Sequence, residues 1–204
     1  MDFSTLQEAW WLVLLLCLGG YLLGSVSSAI LICKALGYPD PRTEGSSNPG
    51  ATNVLRIAGK PAAAMTLAGD VLKGVLPVLA AVLLNQSMTV AALAGFCAFL
   101  GHLFPAFFQL RGGKGVATAF GLIFALHWPS GLVTGATWLL VFGLFRVSSL
   151  ASMLAFIAMP VAIHMWLPAA FWPMLLLTAM LLARHHSNIR NLLTGKELGF
   201  RNKQ

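Results

Sequence analysis

Residues 10–32 read WWLVLLLCLGGYLLGSVSSAILI, 23 residues without a charged side chain. A helix needs about 20 apolar residues to cross the hydrocarbon core of a bilayer. The run is therefore read as a membrane span, with Trp10 and Trp11 at an interface, where amphipathic rings settle. Gly20, Gly24 and Ser28 recur at every fourth position and form a small-residue stripe for close contact with another helix. The serines near its end, Ser25, Ser27 and Ser28, are read as packing residues.

Outward from this run the pattern repeats. Apolar segments follow at 61–84, 88–108, 116–126, 131–145, 150–166 and 169–183. Of the 204 residues, 58% are hydrophobic and 9% charged, a balance that excludes an ordinary soluble domain. The expected fold is all-α, a polytopic helical membrane protein with about seven membrane helices, forming a single domain over 1–204. The pieces at 116–126 and 131–145 are each shorter than a full span. They fit either tilted half-depth helices or a re-entrant pair. Asp2 and Glu8 replace a basic leader, and no small-x-small site follows the first apolar run, so no cleavable signal is expected. Cys17, Cys33 and Cys97 lie in apolar segments without metal-ligand spacing and are read as packing residues. His102, His127 and His164 are scattered and are read as structural or interfacial. No metal and no cofactor is implied.

The charge pattern sets an orientation. The chain carries 13 Lys and Arg against 6 Asp and Glu, a net charge of +7. In a soluble protein that excess would suggest nucleic acid. Here the cations sit between spans, so lipid head groups or an anionic substrate are the expected partners and nucleic acid is not. The turns near 85–88, 127–130 and 166–168 contain no Lys or Arg. By the positive-inside rule these turns face outward, the N-terminus lies outside and the C-terminus is cytoplasmic.

Between the first two spans lies a polar loop, Lys34 to Lys60, in which Pro39, Pro41 and Pro49 argue against a continuous helix. Its centre, Gly45 to Lys60, holds the hydroxyls of Ser46, Ser47 and Thr52, the amides of Asn48 and Asn53, and the cations Arg56 and Lys60. Gly45, Pro49 and Gly50 bend the chain. Glu44 is the only neighbouring carboxylate, and none lies inside. Donors and cations without acids suit an oxyanion, and phosphate is the usual one.

Other polar points emerge on the same expected face. Arg111-Gly112-Gly113-Lys114-Gly115 offers backbone N–H groups beside a cation, which suits phosphate or a flexible positive-inside turn. It lacks the spacing of a Walker A loop. Ser148 and Ser149 form a third point. His185 and Asn188, three apart beyond the last span, fit either a site or a pair of interfacial polar residues. Asp70 and Lys73, spaced to pair on one helix face, fit either a functional interior site or a pair that orients the helix.

Gly-Ser-x-Asn-Pro-Gly-Ala-Thr-Asn-Val-Leu-Arg at 45–56 resembles the first cytoplasmic motif of the bacterial acyl-phosphate-dependent glycerol-3-phosphate acyltransferases. Gly-Gly-Lys-Gly-Val-Ala-Thr at 112–118, after Gly-His-x-Phe-Pro at 101–105, resembles their second motif, and His185-x-x-Asn188-Ile189 with Glu197 downstream their third. Gly24-Ser25 and Gly69-Asp70-x-x-Lys73-Gly74 also fit. Val147 stands where the family often has an aromatic residue, and Asn191 where it often has Arg.

The resemblance implies a multi-pass enzyme of the bacterial inner membrane with its site on the cytoplasmic side. It would transfer a fatty acyl group from acyl phosphate to the first hydroxyl of glycerol 3-phosphate, giving lysophosphatidic acid and phosphate, the first step of phospholipid synthesis. Ser46, Arg56, Lys114, His185 and Asn188 would be catalytic. Gly45, Ser47, Asn48, Gly50, Thr52, Asn53, Gly112, Gly113, Gly115 and Ser149 would bind substrate. Bilayer lipid and an enzyme that makes acyl phosphate are the further partners implied. Acyl phosphate is an activated anhydride and needs no covalent enzyme intermediate, which agrees with the absence of an obvious nucleophile–base pair. The His-x-x-x-x-Asp pattern of thioester-dependent acyltransferases is missing, since Phe107, Leu132, Ala169, Arg190 and Asn191 follow the five histidines at that spacing. The proton acceptor is either His185 or the phosphate of the substrate. A membrane transporter of an organic phosphate is the alternative reading, because broken helices around a polar site would also serve it.

Overall fold

A computed structural model of the chain describes residues 3–197 and 199. Asp2, one of the two carboxylates of the leader reading, lies outside them. Among the described residues the regular structure is helical throughout, and the all-α expectation holds. Five helical stretches are long and apolar enough to cross a bilayer: Trp10–Ala35, Ala51–Leu83, Met88–Phe108, Trp128–Phe145 and Ser148–Trp166. Val116–Leu126 and Pro168–Arg184 are apolar but shorter. The chain divides into two compact units, one ending at Leu126 and the other starting at His127.

The first unit opens with α1 (Phe3–Gly24) and α2 (Ser28–Ala35). The first span is thus broken, where the sequence pattern suggests one uninterrupted helix. The cause is the serine run. The Ser25 hydroxyl donates to the Tyr21 carbonyl at 2.8 Å, and Ser27 accepts from the Ile30 N–H to cap α2. Gly20 and Gly24 of the small-residue stripe pack α1 on α4 (Met88–Leu103), while Ser28 meets Gly69 instead. A Cβ on Gly24 would lie 2.0 Å from the Ala98 carbonyl oxygen, and one on Gly101 2.2 Å from that of Tyr21. Only glycine allows backbones this close.

Helix α3 (Ala51–Leu83) begins inside the polar stretch, which corrects the reading of Lys34 to Lys60 as loop throughout. It kinks at Gly59, whose φ of 80° and ψ of −175° are not helical. Pro61 explains the kink: it has no N–H to donate to the preceding turn. Helix α5 (Val116–Leu126) packs on α3 and α4. Phe99, Leu103, Leu122 and Ile123 are fully buried at the centre of this unit.

The second unit holds α6 (Trp128–Phe145), α7 (Ser148–Trp166), α8 (Phe171–Arg184) and α9 (His186–Leu193). Helix α6 is longer than the 131–145 piece, because His127 caps it by accepting from the Ser130 N–H and Pro129 stands in its first turn. Its 18 residues reach the length of a span. Phe156, Met159, Met174 and Leu177 form the core between α7 and α8, and the Thr178 hydroxyl donates to the Phe156 carbonyl at 2.9 Å. Helices α8 and α9 are separated at His185, so the last span does not continue straight through the histidine stretch.

Candidate active site

The polar stretch 41–50 is shaped from within by Asn53 in the first turn of α3. Asn53 is buried. Its Nδ2 donates to the carbonyls of Pro41 at 2.9 Å and Glu44 at 3.0 Å, and its Oδ1 accepts the Ser46 N–H at 2.9 Å. Gly45 has φ of 60°, and a Cβ there would lie 2.3 Å from Asn53 Oδ1. The side chain of Asn53 is thus spent on the loop. Ser46 and Ser47 remain exposed at its crest, Ser47 with φ of 55°. Gly50 begins α3 with no side-chain cap, which leaves the first N–H groups of the helix pointing toward the loop. Thr52 and Arg56 lie one turn apart on this helix.

A second clamp ties the stretch to the short turn Ala106–Phe108 that follows α4. Arg42 grips Asp40 at 2.7 Å and donates to the Phe108 carbonyl at 3.3 Å. Its hydrogen bonds hold the Asp40 carboxyl below the ordinary carboxylate range.

The glycine loop meets this stretch in the same unit. The Gly113 N–H donates to the His102 carbonyl at 3.1 Å. A Cβ on Gly113 would lie 3.2 Å from the Pro49 carbonyl oxygen, and one on Gly112 2.0 Å from that of His102. Gly115 has φ of 78° and rests on the Phe99 ring, after which α5 begins. Two helices, α3 and α5, therefore start from two polar loops that touch. Open helix N-termini attract anions through their unpaired N–H groups and the helix dipole.

Behind the loop, Asp70 and Lys73 pair at 2.9 Å, both under 5% exposed. Lys73 also donates to the Val26 carbonyl, at the break between α1 and α2, at 3.0 Å. His102 Nδ1 lies 3.2 Å from the Thr118 hydroxyl and 3.8 Å from Asp70 Oδ1. The sequence reading left His102 as a structural or interfacial histidine. Its place directly before the Phe-Pro turn that leads to the glycine loop was the available signal.

The second unit has its own polar cluster. Glu197 Oε1 accepts from the Ser149 hydroxyl at 2.5 Å and from Asn188 Nδ2 at 2.6 Å. One carboxylate thus joins the start of α7 to α9. The resemblance places Glu197 downstream of the third motif without giving it a role. His185 is buried, and its Nδ1 lies 2.7 Å from the Leu181 carbonyl. A carbonyl only accepts, so Nδ1 carries the proton, and in the neutral ring the lone pair falls on Nε2.

The family model described as Glycerol-3-phosphate acyltransferase matches residues 14–195. The chain belongs to the glycerol-3-phosphate acyltransferase family. It is 51% identical over 179 residues to the glycerol-3-phosphate acyltransferase of Methylococcus capsulatus, covering 87% of this chain and 90% of that one. It is 52% identical over 183 residues to that of Halorhodospira halophila, covering 87% and 91%. A crystal structure of PlsY, an integral membrane glycerol 3-phosphate acyltransferase in its glycerol 3-phosphate form, aligns with TM-score 0.88 at 38% identity, covering 92% of this chain and 95% of that one. The lysophosphatidic acid form aligns with TM-score 0.85 at 36% identity over the same shares. Membership in the glycerol-3-phosphate acyltransferase family selects the enzyme over the organic-phosphate transporter.

Proposed function

We propose that this protein acylates the 1-hydroxyl of glycerol 3-phosphate, with acyl phosphate as donor, at the cytoplasmic side of a bacterial inner membrane. The observation that supports this reading is the approach of Gly113 to the Pro49 carbonyl, which brings the polar loops that open α3 and α5 together within the first unit. Both substrates are anions, and cations with oriented N–H groups offset their mutual repulsion.

The reaction needs no protein nucleophile. The glycerol oxygen attacks the acyl carbonyl carbon, the carbonyl–phosphate C–O bond breaks, and inorganic phosphate leaves with that electron pair. The hydroxyl proton passes to a phosphate oxygen or to Nε2 of His185. Ser46, Ser47, Asn48, Gly50 and Thr52 serve the acyl phosphate. Gly45 and Asn53 shape the loop that presents them. Arg56, Lys114, Ser149, His185 and Asn188, with the glycines at 112, 113 and 115, serve glycerol 3-phosphate. The chain acts as a single acyltransferase domain with about seven membrane helices, N-terminus outside. The donor's acyl chain arrives from the bilayer, supplied by an enzyme that makes acyl phosphate.

Purified protein given long-chain acyl phosphate and labelled glycerol 3-phosphate is expected to form lysophosphatidic acid. With an acyl thioester in place of acyl phosphate it is expected to form none. Turnover of the thioester alone would overturn the donor assignment.

A further inference from the structure

We infer that His102 is a positioning residue for the glycerol 3-phosphate loop, held in place by the buried Asp70–Lys73 pair. The inference rests on the proposed assignment of the glycine loop to that substrate. His102 has two ends with different duties. Its Nδ1 end faces inward, 3.2 Å from the Thr118 hydroxyl and 3.8 Å from Asp70 Oδ1. Its Nε2 end faces the loop so closely that a Cβ on Gly113 would lie 2.4 Å from it. The His102 backbone takes part too, since its carbonyl accepts the Gly113 N–H and leaves no room for a Cβ on Gly112.

The Thr118 hydroxyl bonds the inner end of the ring, and the Asp70–Lys73 pair stands behind it, 3.8 Å from Nδ1. Asp70 is oriented by Lys73, and Lys73 is itself fixed to the Val26 carbonyl freed by the break in the first span. Buried charges are costly in a membrane protein unless paired, and their usual use is at a working site. Here a chain of contacts runs from the α1–α2 break through Lys73, Asp70 and His102 to Gly113. A break in the first span thus sets the position of a loop two helices away. The absence of a side chain at Gly113 is then a fit to the His102 ring, and the two positions are energetically coupled.

A double-mutant cycle on the full-length protein in proteoliposomes tests this, using His102→Asn, Gly113→Ala and the double variant. Asparagine keeps a polar group near the Nδ1 end and removes the Nε2 end. Gly113→Ala alone is expected to raise the KM for glycerol 3-phosphate about tenfold, while that for acyl phosphate moves less than about twofold. Adding His102→Asn removes the clash, so the KM of the double variant should fall back toward that of His102→Asn alone. Asp70→Asn, which keeps the side-chain shape, should raise the same KM and spare that of the donor. Effects of His102→Asn and Gly113→Ala that simply multiply would overturn the inference and leave the loop assignment standing. An unchanged KM in Gly113→Ala would instead remove the loop from the substrate site, and the inference with it. If His102 only packs, His102→Asn lowers the yield of folded protein and leaves the KM of that protein unchanged, which also overturns it.

Discussion

At the scale of single residues, exposure and burial divide the polar side chains by task. Ser46 is exposed at the crest of its loop, and only its backbone N–H is engaged by Asn53. Under the proposed assignment its hydroxyl meets the acyl phosphate, so Ser46→Ala should lower kcat about 100-fold with little change in folding. Wild-type turnover in a steady-state assay would remove it from the site. His185 is buried with Nδ1 committed to Leu181, which fixes the ring and its tautomer. His185→Ala should bring activity to background across the pH range. If activity survives with an altered pH–rate profile, the substrate phosphate takes the proton and His185 only orients it. Asn53 and Glu197 show what sequence alone conceals. A donor-rich stretch makes every amide look available, yet Asn53 is consumed internally. Glu197, which the sequence shows only as an acid downstream of the third motif, gathers Ser149 and Asn188.

At the scale of elements, the helices were legible and their interruptions were not. Apolar length marks a span because lipid offers the backbone no hydrogen bonds and forces helix formation. Breaks come from local competition that composition does not reveal. The Ser25 hydroxyl adds a bond to the Tyr21 carbonyl and Ser27 caps a new helix by accepting the Ile30 N–H, while Pro61 forces Gly59 out of the helix. The reach of α3 into the polar stretch was missed for a related reason. Asn53 and Arg56 look like loop residues until the capping geometry at Gly50 is seen. The contact between the two polar loops rests on neighbours distant in sequence, such as Gly113 beside the Pro49 carbonyl and Arg42 with Phe108. Asn53→Ala should expose how far the loop depends on α3. It strands the Ser46 N–H and two carbonyls, a cost of about 2 kcal/mol. Thermal unfolding in detergent should show a lower midpoint, and the KM for acyl phosphate should rise. An unchanged midpoint would mean that the loop holds its shape without the asparagine.

At the scale of the whole molecule, the sequence already pointed to a multi-pass acyltransferase, and family membership bears that out. Sidedness rests on the positive-inside rule alone. Cysteines placed singly at Gln86 and Glu44 should react with a membrane-impermeant maleimide from opposite faces, Gln86 from outside and Glu44 only after lysis. The reverse pattern would invert the proposed topology and move the site to the outer face. The proposed reaction is direct transfer between two anions held by cations and N–H groups. A rapid-quench single turnover with doubly labelled substrates addresses it most directly. Lysophosphatidic acid and inorganic phosphate should appear together in equal amounts, with no label on the protein at any time. A labelled acyl-protein preceding the product would contradict the account.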